Sequence, residues 1–145
     1  MKKLTFLALL TLFVFSEAKS ADGVLKVENS WIFAGPPGSK ETAAFMTLVN
    51  TGPAPMRVTG GETPVASRVA PMVTTKTDGR MGMKDVPFFE VPAGGKLELK
   101  PGGDHLMIYG LKSPLKPGEK VPFTLLVESG GKLEIEIPAS RTAPK

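Results

Sequence analysis

The chain has 145 residues, no cysteine and a single histidine, His105. Without thiols it can form no disulfide, so an exported domain of this size must rely on its apolar core. A blue-copper electron carrier needs a cysteine thiolate and typically two histidines, and is excluded. One imidazole leaves a hydrolase a single base, and neither a Gly-x-Ser-x-Gly elbow nor a zinc motif accompanies it. No catalytic residue is therefore assigned, and the chain is read as a non-enzyme. No basic stripe with interleaved aromatics is present, so nucleic acid is not an expected partner. No internal repeat is found, and no stretch beyond the first 20 residues sustains a helical apolar period for three turns.

What is present begins with a leader. Met1-Lys2-Lys3 gives a positive end, Leu4 to Phe15 an apolar run, and Ser16-Glu-Ala-Lys-Ser-Ala21 a small-residue exit. That order is the layout of a secretory signal peptide. The run is shorter than the ~20 residues a transmembrane helix needs, so stable membrane insertion is not expected. Cleavage after Ala18 or after Ser20 fits. Removing the first 20 of 145 residues leaves 125, enough for one domain over 21–139 with a short polar tail over 140–145. The leader also holds three of the 18 basic residues and one of the 14 acidic ones, so the formal charge falls from +4 to +2. No cysteine follows the leader, which argues against a lipid anchor. The expected location is the periplasm of an outer-membrane bacterium.

Gly and Pro, 16 and 14 in number, punctuate short apolar runs. Val24–Val27, Ala44–Val49, Ser67–Thr75, Lys96–Leu99, His105–Tyr109, Val121–Val127 and Lys132–Ile137 read as strands, several with the alternation of half-buried strands. Turn signals such as Asn50-Thr-Gly-Pro53, Pro101-Gly-Gly103 and Ser129-Gly-Gly131 separate them. Seven to nine short strands in this pattern predict an all-β fold, a single antiparallel β-sandwich or Greek-key barrel.

The methionines then stand out. Met107 lies two residues after His105, Met83 lies 22 before it and Met72 another 11 before that. One imidazole and three thioethers form a soft, uncharged donor set that suits copper(I) better than zinc, magnesium or calcium. On a strand, residues i and i+2 share a face. His105 and Met107 therefore project together, away from Leu106 and Ile108, which read as core. Met81 and Met83 form a second such pair behind the Asp78-Gly79 turn. Taken singly, each of these residues also fits a blander part, a hydrogen-bonded strand histidine paired with Asp104 and methionines that fill gaps. Met46, in an apolar strand, and Met56, in a turn, are read that way. Met81 stays open between a reserve ligand and a loop side chain.

The joint spacing Met72-x10-Met83-x21-His105-x-Met107 resembles the periplasmic copper(I) chaperone family known as PCuAC, whose motif is His (or Met)-x10-Met-x21-His-x-Met. The resemblance extends to Ala44-Phe-Met-Thr-Leu-Val-Asn50, Pro92-Ala-Gly-Gly95, Leu99-Lys-Pro-Gly-Gly-Asp-His-Leu-Met107 and Gly110-Leu-Lys-Ser-Pro-Leu-Lys-Pro-Gly118, roughly Glu28 to Ala139. It implies a cupredoxin-like barrel that binds one Cu(I) per chain at an exposed site formed by Met72, Met83, His105 and Met107. It also implies a monomer that passes copper to an acceptor such as the binuclear centre of cytochrome c oxidase subunit II. Some relatives add copper(II) through a tail rich in His and Met; Ser140–Lys145 has neither, so one site is expected. The family's first ligand is usually histidine, and Met72 replaces it here. That exchange favours copper(I) over copper(II), weakens any zinc binding, and leaves one imidazole to compete for protons, so acidification should weaken binding only mildly. Asp104 is at most a partner behind His105. The competing readings are a metal-free exported β-sandwich for adhesion or assembly, and a copper buffer with no dedicated recipient.

Overall fold

The structure is a computed structural model and describes residues 24–145; the leader expected over residues 1–20 lies outside the described residues. Ten strands and no helix make up the described chain: β1 (Leu25–Phe33), β2 (Glu41–Asn50), β3 (Met56–Glu62), β4 (Arg68–Thr77), β5 (Arg80–Asp85), β6 (Phe89–Val91), β7 (Lys96–Leu99), β8 (His105–Tyr109), β9 (Lys120–Val127) and β10 (Lys132–Ser140). The order β4-β8-β2-β1-β10-β9-β3 returns to β4 through a pairing of Gly61 with Val69, so the sheet closes into a barrel. Outside this ring β5 pairs with β4, β6 with β3 and β7 with β2. The non-consecutive neighbours show that the connections cross over, as in a Greek-key barrel.

The interior is set by strand parity. Leu48, Met46 and Ala44 of β2, Leu106 and Ile108 of β8, Val121, Phe123 and Leu125 of β9 and Ile137 of β10 all point inward and are buried. Each such Leu or Ile contributes about 1.5–3 kcal/mol by leaving water. Met46 and the partly buried Met56 belong to this core, as their settings in the sequence suggest. At the closing seam the chain needs glycine: a Cβ on Gly61 would lie 2.7 Å from the Phe123 ring.

Two differences from the sequence reading have physical causes. Ten strands exceed the expected seven to nine, because the alternation of β3 is cut short by Gly60-Gly61, β6 is only three residues long and β5 is exposed at every position, so each gives too short or too polar a signal. The sheet is not purely antiparallel, since β1 runs parallel to β10 with Ile32 opposite Ala139 and Phe33 opposite Ser140. The same pairing holds the end of β10 in place. Ala139 is buried, its N–H donates to the Glu119 carbonyl at 2.7 Å, and the strand ends at Ser140.

One irregularity shapes the outer surface. In β1 the register with β2 shifts between Glu28 and Trp31, around Asn29 with its φ of 51°. A bulge of one residue exchanges the faces of everything after it. Leu25 and Ile32 therefore both enter the core, and Trp31 turns outward opposite Phe45.

Candidate metal centre

Three adjacent strands, β5-β4-β8, carry the candidate residues. Met72 of β4 is directly opposite His105 of β8, and Ala70 is opposite Met107. On the other flank Thr74 of β4 is opposite Met83 of β5. Because positions 70, 72 and 74 share one face, as do 105 and 107, all four sequence-predicted residues lie on a single face of this sheet. It is the face turned away from the barrel interior, where Leu106 and Ile108 lie. Residues directly opposite on antiparallel strands have Cβ atoms about 4.5–5.5 Å apart and diagonal ones about 7–8 Å, within the combined reach of a methionine and an imidazole.

The four are not equally accessible. His105 is 6% exposed and Met72 8%, Met107 is half-buried, and Met83 is 62% exposed. The candidate site is therefore a buried pair with one donor at the surface, where the resemblance implies an exposed site. Its buried wall is aromatic: the Phe45 ring lies 6.3 Å from that of His105, and Trp31 lies 4.7 Å from Phe45. These separations are ordinary for packed aromatic pairs. Without the β1 bulge Trp31 would face the core and Phe45 would lose the ring packed behind it.

His105 is held by the tight turn before it. Lys100 N–H donates to the Asp104 carbonyl at 3.0 Å and Gly103 N–H to the Lys100 carbonyl at 2.9 Å, with Gly102 at a φ of 77°. This turn aims the Gly103 carbonyl at the ring, with Nδ1 3.0 Å from the oxygen. A carbonyl only accepts, so Nδ1 carries the hydrogen, and the neutral ring has its lone pair on Nε2, free for a metal. Asp104 is thus not the partner of His105; its backbone helps to build the turn instead. The same Gly103 oxygen accepts from Thr74 Oγ1 at 2.7 Å. Sequence reasoning missed Thr74 and Gly103. Thr74 is two residues from Met72, yet only strand pairing reveals what its hydroxyl meets.

The carboxylate on this face is paired, since Asp85, directly opposite Met72, is engaged by Arg68. Arg68 is ion-paired with Asp85 at 3.2 Å and lies 5.0 Å from the centre of the Tyr109 ring. Burial, then the Asp85 carboxylate and Glu41, push the Tyr109 phenol above its ordinary value against the opposing pull of Arg68. The phenol therefore remains a neutral O–H. Among the described residues no group of three or more His, Cys, Asp or Glu side chains could hold a metal ion. What this face offers is neutral sulfur and one neutral nitrogen, a set matched to a soft monovalent ion.

Comparison with known proteins follows the same line. Residues 25–139 match the family model described as "Putative lipoprotein LpqE-like". A relative from Leifsonia xyli subsp. xyli (strain CTCB07), "Putative lipoprotein Lxx21020", is 38% identical over 121 residues, 83% of this chain and 71% of its own. These 145 residues contain no cysteine, so the lipid-bearing residue such a description implies is not among them. The solution structure of CuI-DR1885 from Deinococcus radiodurans is 38% identical, with a TM-score of 0.67 over 82% of this chain and 81% of its own. The copper-bound PCuAC domain from PmoF2 has a TM-score of 0.70 over 84% of this chain and 97% of its own. At 20% identity that second likeness is one of fold. The chain belongs to the LpqE-like family, the family of the PCuAC domains.

Proposed function

We propose that this protein is an exported copper(I) carrier that holds one ion through Met72, Met83, His105 and Met107 and hands it to an acceptor protein. The observation that carries this reading is the cross-strand pair Met72–His105, with Met107 and Met83 on the same outward face. The copper(I) named for the Deinococcus relative, at 38% identity, supports it. The leader-like first 20 residues and the lipoprotein descriptions of relatives support export, to the periplasm in an outer-membrane bacterium.

In this reading copper(I) is cargo, and the chain's work is to hold and release it. The Gly103 carbonyl fixes the His105 ring through Nδ1 and leaves Nε2 as the donor, so little rotational freedom is lost when the ion binds. Phe45 and Trp31 keep water from the buried side. Thioethers are neutral and bind without the strong charge attraction of thiolates, so a thiolate-bearing acceptor can displace them. The binuclear copper centre of cytochrome c oxidase subunit II is such an acceptor. Copper remains copper(I) as donors exchange, and no covalent bond of the protein is made or broken.

The test is a copper(I) titration of the mature protein under reducing conditions against a chromophoric chelator, followed by mixing with the apo soluble domain of subunit II. One equivalent bound by the wild type, strongly reduced binding in His105→Ala and Met83→Ala, and copper(I) recovered with the acceptor after the two proteins are separated are expected. Failure of the wild type to retain copper would overturn the reading. Retention without transfer would turn the carrier into a buffer.

A further inference from the structure

Strand β5 is an edge strand exposed at every position, and it carries the two most exposed large apolar side chains among the described residues, Met81 at 65% and Met83 at 62%. It is held out from the barrel by a two-residue turn, Asp78-Gly79, with φ of 52° and 75° and Thr77 opposite Arg80. Both residues have the left-handed backbone of a tight hairpin turn. Met81 lies opposite Lys76 and has no place in the apolar core. Its side chain therefore has no packing task, whereas Met46 and Met56 pack into or against the core. Two residues along the same strand, Met81 shares the face of Met83, with Cα atoms about 7 Å apart, close enough for two thioethers to meet on one ion.

The difference in burial gives this pair a direction. Met72 and His105 are nearly closed off from solvent, so an ion arriving from water meets sulfur of β5 first, and a departing ion leaves it last. We propose that Met81 is a transient copper(I) donor that works with Met83 on the outer arm of the site, relaying the ion between solvent-side partners and the buried Met72–His105 pair. This rests on the carrier reading above. In the relay step a copper–sulfur bond to Met81 forms as the bond to Met72 gives way. The ion stays copper(I), and neither an electron nor a proton moves. Lys76, Arg80 and Lys84 beside the pair have no ion-pair partner among the described residues, and the β5 carboxylate on the same face, Asp85, is engaged by Arg68 at 3.2 Å, which leaves the two thioethers as the soft donors of the arm.

The experiment compares wild-type protein with Met81→Leu, both loaded with one copper(I), in stopped-flow mixing with bathocuproine disulfonate, a chromophoric copper(I) chelator. Met81→Leu is expected to keep the equilibrium affinity within about twofold while copper release slows about tenfold, the rate cost of a modest rise in barrier. Thermal unfolding should not change, because the side chain is exposed. In Met83→Leu, Met81 takes over as surface donor, so adding Met81→Leu should weaken equilibrium binding about tenfold further. Equal release rates in wild type and Met81→Leu would overturn the relay and leave the carrier reading intact. A tenfold loss of equilibrium affinity in Met81→Leu alone would make Met81 a resident ligand and overturn it as well. A wild type that retains no copper(I) would remove both.

Discussion

Turned toward the barrel, β8 presents Leu106 and Ile108, both with no exposed surface; turned outward, it presents His105 and Met107. Five residues thus serve two purposes without competing for the same space. The inward pair belongs to the packed core, while the outward pair faces Met72 and Ala70 across the strand boundary. The same division runs through β2, where Met46 and Leu48 are core and Phe45 walls the His105 ring. Parity therefore separates stability from binding: a change on one face should be felt mainly in unfolding, and on the other mainly in copper retention.

The largest effect tests the inner face. Leu106→Ala removes a fully buried side chain and should cost about 3 kcal/mol, within the usual span for such cavities. Its thermal midpoint should fall well below that of the wild type while the folded fraction still binds one copper(I). Loss of copper stoichiometry in molecules that remain folded would show that the two faces are coupled. His105→Ala is the mirror experiment. Copper(I) affinity should drop by more than the about 10–100-fold typical of outer-shell changes. Stability should change by only about 1 kcal/mol, the worth of the hydrogen bond to Gly103. A collapse of the fold in this variant would mean that the outward face also carries the barrel.

The methionines sharpen the contrast because the residue type is constant. Met46 is fully buried and Met83 lies on the exposed edge strand. Met46→Leu conserves volume and should cost less than about 1.5 kcal/mol with no effect on copper. Met83→Leu should shift stability by no more than about 0.5 kcal/mol, yet weaken copper(I) binding about tenfold. If both substitutions left chelator competition unchanged, a thioether at position 83 would have no part in binding.

Much of this was legible in the residues. Short apolar runs between turn signals, several of them alternating, identified seven strand segments, and His105-x-Met107 declared its outward face because Leu106 and Ile108 are unmistakably apolar. The face-sharing of Met81 and Met83 followed from their spacing alone. Pairing was not legible: nothing in the local sequence says that β4 lies between β5 and β8, which is what places Met72 opposite His105. The bulge at Asn29 was also hidden, since a single left-handed residue leaves no periodic mark, yet it decides that Trp31 joins the wall beside Phe45. Exposure was misjudged for a related reason. Burial of Met72 and His105 on the outward face comes from neighbours distant in sequence, such as Phe45, 60 residues before His105.

The smallest effect asks how finely the outer face is tuned. Thr74 and His105 both donate to the Gly103 carbonyl, at 2.7 and 3.0 Å, from different strands. Thr74→Val keeps the branched shape that suits a strand and removes only the hydroxyl. The turn then loses one of its ties to β4, and the oxygen that aims the imidazole is held by its own backbone alone. Stability should fall by about 1 kcal/mol, and copper(I) affinity by about threefold to tenfold, at or below the low end for a group behind a ligand. An intact affinity with the same loss of stability would place Thr74 with the inner face in function, though it lies on the outer one in space. The proposed donors would then be set by strand register and the Gly103 turn, with no help from the side chain between them.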